Sequence, residues 1–286
     1  MNMMLATRAR GAEARRRAKS FGWTLLALVI IGLMLFPFYM IVNISFMRMT
    51  DLFNYPPPLI PPHPTLDGYR QAMEMMGEYI RSSTIYGLCT VVVTMLIATP
   101  AAYALARVRS RIGPFILFAL ILAQMVPSIV VASSLYGVFS HLHLLSSYLA
   151  VILGDSTVAV PFAIIVMRAF MAGIPKELAE AAVVDGAGHW RIFWSIILPL
   201  SKTTLITASL FSFLFGWGDF LFALILNINP HHVPITVGIY RFIGTYSVQW
   251  PAVMATALVA AIPAMFLLVI AQRYITTGIT AGALKE

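Results

Sequence analysis

Six apolar runs limit what this chain can fold into more than any other feature; they lie at 22–42, 83–105, 114–136, 148–169, 203–226 and 252–272. A helix rises about 1.5 Å per residue, so about twenty residues cover the roughly 30 Å hydrocarbon core of a bilayer. Within that core every backbone N–H and C=O must be paired by the protein itself, which a helix does turn by turn. The runs therefore predict an all-α, polytopic membrane protein with six transmembrane helices. A soluble globular domain is excluded by a composition that is 60% hydrophobic and only 10% charged, with a mean hydropathy of +0.86.

Charge sets the orientation. An even number of spans puts both termini on one side, and fifteen of the nineteen Lys and Arg residues fall on that side. Arg8, Arg10, Arg15, Arg16, Arg17 and Lys19 precede the first run, Arg107, Arg109 and Arg111 follow the second, and Arg168, Lys176, Arg191 and Lys202 flank or occupy the loop after the fourth. Arg273 and Lys285 close the chain, while Arg48, Arg70, Arg81 and Arg241 are left for the opposite face. Short basic connections stay in the cytoplasm, so both termini are expected there. The division is a basic N-terminal segment 1–21, a six-span domain 22–272 with a cytoplasmic loop at 172–202, and a tail at 273–286. The first run is long enough to span and no small-residue cleavage pattern follows it, so it reads as a retained span. The net charge of +8 lies in clusters beside apolar runs, a topology signal that gives no support to nucleic-acid binding. The single cysteine, Cys89, can form no internal disulfide and reads as a packing residue.

The longest outer connection, 43–82, holds a Pro-rich stretch at 55–64 that must run extended and reads as a stiff spacer. His63 within it reads as a solvated loop residue. Thr65 or Asp67 can cap a helix through Tyr69, Met73 and Met76, expected outside the membrane or along its surface. Pro100, Pro127, Pro161 and Pro263 lie within spans, where each can kink a helix. Gln124 and Asp155 add polarity that must face a cavity or a neighbouring helix. In the fifth run stands Phe215-Gly216-Trp217-Gly218-Asp219-Phe220. Counting about 1.5 Å per residue from Thr203 puts Asp219 roughly 24 Å up, in the outer half of the bilayer. A carboxylate there either lines a pathway with Trp217, Gly218 and Gln124, or pairs inside the bundle. The outer loop 227–250 carries His231 and His232, which as neighbours point apart and make a poor metal pair.

One polar island, 175–199, interrupts the apolar pattern. Pro175 suits a first helical turn, and Glu177 and Glu180 put negative charge at the positive end of the helix dipole. Leu178, Ala181, Ala182 and Asp185 follow at near-helical spacing. Gly186 then stops the helix, and Trp190, Ile192, Phe193, Ile196 and Ile197 begin a second one that closes at Pro199. A small helical hairpin follows, either a solvated connection or a docking face of alanines flanked by carboxylates.

Glu180, Ala181, Ala182, Asp185, Gly186, Ala187, Phe193, Leu198 and Pro199 resemble, in order and spacing, the EAA signature of ABC importer permeases. The tail QRYITTGITAGALKE, the fifth-run GWGDFLFALIL and the stretch PTLDGYRQAM are similar to the carbohydrate-uptake branch, in particular the smaller six-span permease of maltose-type importers. Gly218 stands where that branch usually has Asn. The resemblance implies a type I ABC importer permease fold and a docking role for Glu177, Glu180, Ala181, Ala182, Asp185, Gly186 and Ala187 on an ABC ATPase dimer. It also implies a second, non-identical permease subunit, an extracytoplasmic solute-binding protein and a sugar substrate. Asn229, Pro230, His231 and His232 are then expected to contact the binding protein.

No Gly-x-x-x-x-Gly-Lys-Ser/Thr phosphate loop, nucleophile elbow or HExxH is present. The expectation is therefore no catalytic residue, no metal and no cofactor in this chain, with ATP and Mg on the partner ATPase. The rival reading is an ion-coupled carrier with Asp219 as the coupling carboxylate. Within the importer class, a phosphorylated polyol or an anionic oligosaccharide is the alternative cargo.

Overall fold

A computed structural model describes residues 2–108, 111–240, 242–243 and 248–283, with side chains from 21 to 272 except residue 75. Of the basic residues used above for orientation, Arg109, Arg241 and Lys285 lie outside the described residues. The chain is helical in the order α1 (Asn2–Ser45), α2 (Asp67–Arg107), α3 (Gly113–Gln124), α4 (Ser128–His141), α5 (Tyr148–Ala172), α6 (Glu177–Val184), α7 (His189–Ile192), α8 (Leu198–Leu200), α9 (Lys202–Trp217), α10 (Leu221–Leu226), α11 (Ile235–Tyr240) and α12 (Trp250–Ala283). Four stretches are long and apolar enough to cross a membrane unbroken, at Phe21–Ser45, Met76–Arg107, Tyr148–Ala172 and Trp250–Gln272. Two bent pairs bring the number to as many as six: α3 with α4 at 96°, and the stretch His189–Leu200 with α9 at 78°.

Three expectations change in detail. The helix expected at the membrane surface from residue 65 is continuous with the second span, because nothing between Asp67 and Arg107 breaks it; Pro100 lies inside. The third run is bent at Met125–Pro127, where Pro127 takes an extended backbone and opens α4. Pro161 and Pro263 lie inside unbroken helices, as does Pro37 in α1, so of the prolines named above only Pro127 marks a break. His63 is solvent-exposed in its loop, as expected, and its Nδ1 lies 3.4 Å from Oδ1 of the buried Asp51. The tail continues α12 as helix to Ala283.

The Pro-rich stretch folds back on the end of α1. Prolines lack an N–H but keep a carbonyl, and that carbonyl is used here: Asn43 Nδ2 donates to Pro58 O at 3.2 Å, and the Tyr39 hydroxyl donates to Leu59 O. Phe46 and Tyr69 rings, 5.2 Å apart, join the end of α1 to the start of α2.

Helices α2, α5, α9 and α12 form the centre; α1 packs on α12, α3 on α5, and α4 on α10. Close approach at the centre depends on small residues. A Cβ on Gly216 of α9 would lie 2.7 Å from the Tyr86 carbonyl oxygen and 2.9 Å from Thr90 Oγ1 of α2. Buried hydroxyls pair mostly within their own helix, as Ser212 Oγ does with Ala208 O at 2.8 Å and Thr256 Oγ1 with Ala252 O at 2.8 Å. By contrast α3 buries none of its residues.

Candidate functional site

At one end of the bundle lies the hairpin. Helix α6 begins with Glu177 and Glu180 in its first turn and ends where Asp185 N donates to Ala181 O at 3.0 Å. Gly186 has φ +80°, in the left-handed region, and its N–H donates to Val183 O at 2.9 Å. Ala187 N donates back to Ala182 O at 2.8 Å. These two bonds satisfy the carbonyls that a helix end otherwise leaves orphaned, and the alanines complete the stop with an apolar contact. Past Gly188, which is extended, α7 passes through a single π turn (Phe193–Ile197) into α8.

The hairpin has two faces. Ala182, Ile192 and Ile197 are buried in one cluster with Ala98 and Ala102 of α2, Met167 and Met171 of α5, and Ala208 of α9; Ala179 and Ala187 pack against it. Phe193 is buried and meets the Tyr103 ring of α2 at 5.1 Å. Outward stand Glu177, Glu180, Ala181, Asp185 and Gly186, together with Val184, 87% exposed, and Trp190, 73% exposed. The two alanines of the signature therefore part company. Ala181 belongs to the exposed face; Ala182 is 9% exposed and its small side chain lets α6 lie close on the bundle.

The fifth run breaks at Gly218–Phe220, between α9 and α10. Asp219 is buried, and its carboxylate accepts from two backbone donors: Phe222 N to Oδ1 at 3.1 Å and Ala223 N to Oδ2 at 2.7 Å. It thus caps the short α10, while its own carbonyl accepts from the Thr236 hydroxyl. Trp217 is buried, donates Nε1–H to Ala260 O of α12 at 3.0 Å, and stacks on Phe213 with centroids 5.7 Å apart. Gly218 between them is exposed. Gln124 ends α3 and is also exposed, just before the bend. A groove on α4, next along the chain, is lined by Ile129, Val130, Ser133 and Ser134.

A polar hub closes the other end of the bundle, and sequence reasoning missed it. The carbonyl of His232 accepts from Tyr86 Oη at 2.7 Å and from Asn227 Nδ2 at 2.9 Å. Its Nδ1 donates to Ser146 O at 2.8 Å, and its ring lies 4.1 Å from that of Tyr148. Asn229 Oδ1 accepts from His231 N at 3.0 Å and fixes the turn. His231 and Pro230 point outward, with His231 Nδ1 3.5 Å from the exposed Glu78. Tyr86, Ser146 and Tyr148 carried no signal as isolated apolar-run or loop residues; only tertiary contact makes them a group. Among the described residues no three His, Cys, Asp or Glu side chains converge in a way that could hold a metal ion.

Residues 82–280 match the family described as "Binding-protein-dependent transport system inner membrane component". The chain is 34% identical over 278 residues to a probable ABC transporter permease protein, y4oR, of Sinorhizobium fredii, covering 96% of this chain and 99% of that one. It is 32% identical to the trehalose transport system permease protein SugB of Mycobacterium tuberculosis, covering 92% and 97%. In fold it is similar to a chain from the crystal structure of a bacterial ABC transporter involved in the import of the acidic polysaccharide alginate. The TM-score is 0.74 at 20% identity, over 88% of this chain and 96% of that one.

Proposed function

The chain belongs to the family of binding-protein-dependent transport system inner membrane components, and we propose that it forms half of the translocation pathway for a sugar or oligosaccharide in an ATP-driven importer. The permease assignment itself follows from the family. A carbohydrate cargo is supported by the likeness to a trehalose permease along nearly the whole chain, and by the tail and fifth-run stretches quoted above. The pathway's other half comes from a second, non-identical permease. ATP and Mg belong to a separate ATPase dimer, and both termini and the hairpin lie in the cytoplasm.

One observation carries the coupling proposal: the hairpin has a carboxylate-rich outer face and an inner face fused into the same apolar cluster as α2, α5 and α9. Force on the outer face is then delivered to three spans together. Glu180 pairs with a basic residue of the ATPase, Glu177 and Asp185 flank it, Ala181 permits close approach, Gly186 holds the turn, and Ala182 and Ala187 tie the hairpin to the bundle. ATP binding shifts the bundle between inward- and outward-facing states only through a difference in affinity for the two. Trp217 and Asp219 shape the break in the fifth span, and Gly218 and Gln124 present polar surface to the pathway. On the outer side Asn229, Pro230 and His231 meet the binding protein, with His232 holding them in place.

The ion-coupled alternative asks Asp219 to exchange cations, yet both its oxygens already accept backbone N–H groups. The test is ATP hydrolysis by the reconstituted complex with its binding protein and a panel of sugars, a phosphorylated polyol and an anionic oligosaccharide. Hydrolysis is expected to rise with a sugar, and Glu180→Lys to abolish the rise while membrane insertion persists. Normal coupled turnover in Glu180→Lys would sink the docking role; uptake that needs an ion gradient and no ATPase would favour the carrier.

A further inference from the structure

Two arginines at the hairpin end of the bundle have buried guanidinium nitrogens with no hydrogen-bond partner. Arg107 is the last residue of α2, and Arg168 lies four residues before the end of α5, which packs along α2. Arg107 Nε and Nη2 and Arg168 Nε are shut from solvent and have no hydrogen-bond partner. Neither guanidinium enters an ion pair: those among the described residues are His63–Asp51, Arg70–Asp67 and His231–Glu78, all beyond the other end of the bundle. The hairpin carboxylates Glu177, Glu180 and Asp185 face outward instead. A buried N–H donor left unpaired is costly, and a guanidinium keeps five donors in a rigid fork that fits phosphate oxygens two at a time.

What lies beside them selects the anion. Helix α3 starts at Gly113, six residues after Arg107 in the sequence; it packs on α5, and its Leu120 packs against the cluster that α2 and α5 share with the hairpin. Arg111, which is exposed, lies two residues before α3. From there α3 presents Phe115, Ile116, Phe118, Ile121 and Leu122 without burying any of them. A soluble carboxylate partner would satisfy the arginines and leave this apolar surface bare. A lipid satisfies both, its headgroup at the arginines and its acyl chains along α3, and anionic lipid is what basic side chains at the cytoplasmic ends of spanning helices attract. We infer that Arg107 and Arg168 form a binding site for the phosphate of an anionic phospholipid. The inference rests on the cytoplasmic placement of the hairpin end proposed above.

The purified permease–ATPase complex, exchanged into phosphatidylcholine nanodiscs with or without phosphatidylglycerol, tests this by native mass spectrometry. Wild type is expected to retain phosphatidylglycerol on release from the disc, Arg107→Gln/Arg168→Gln to lose that retention several-fold, and Lys202→Gln, which removes a cytoplasmic charge elsewhere, to keep it. Equal retention in wild type and the double variant overturns the proposal, as does no retention in wild type, which also decides the matter if the double variant fails to assemble. Displacement of the lipid by inorganic phosphate in proportion to its concentration would assign the site to a soluble anion and overturn the lipid. None of these outcomes depends on membrane orientation, which labelling of Asp185→Cys from either side reads separately.

Discussion

At the scale of single residues, Gly186 decides whether the hairpin exists. At φ +80° an L-residue is strained by about 1–2 kcal/mol, and a β-branched one by more, although the space around the missing Cβ is open. Strain without a clash separates two substitutions. Gly186→Val is expected to abolish substrate-stimulated ATP hydrolysis with insertion intact, and Gly186→Asn, whose side chain tolerates the left-handed region, to retain most of it. Equal loss in both would mean that bulk at the docking face, and not the turn, is what matters. Asp219 illustrates the limit of residue-level reading. An intramembrane carboxylate announces itself in any sequence, but its two backbone bonds to α10 depend on where the helix restarts.

At the scale of elements, the outer loop combines an exposed tip with a pinned base. His231 points out and its neighbour His232 points in, as expected for adjacent residues, and that difference assigns them separate tests. His231→Ala is expected to weaken stimulation by the binding protein and leave the melting temperature of the complex unchanged. His232→Ala removes a hydrogen bond and a ring contact, a loss of about 1 kcal/mol, and is expected to lower that temperature. A normal response to the binding protein in His231→Ala would remove this residue from the interface. The hairpin is built the same way, with an apolar side sharing the bundle's core and an exposed side free for a partner.

For the whole molecule, the hairpin and the polar hub lie at opposite ends of the central helices, and the distribution of basic residues predicts that the hairpin end is inside. Cysteine placed at the exposed positions Asp185 and His231 gives the measurement: a membrane-impermeant reagent is expected to reach 231 from outside and 185 only after the membrane is opened. Labelling of both from one side would refute the topology. Much apolar surface of α1 and α3 is left uncovered by the rest of the chain, as helices of a membrane protein that meet lipid or another subunit require.

Membership of the membrane class, the all-helical fold and the hairpin's turn were legible because each follows from local rules. Hydrocarbon demands long apolar helices, and a left-handed helix stop favours glycine. What the sequence left open depends on distant segments meeting. Ala182 differs from Ala181 only because α2 and α5 lie behind it. Arg107 and Arg168 read as topology signals until the packing of α2 on α5 sets both at the same end without an acceptor for their donors. The bend at Pro127 and the unbroken passage through Pro100, Pro161 and Pro263 likewise obey no local rule, since neighbouring helices decide whether a missing N–H is absorbed or opens a break.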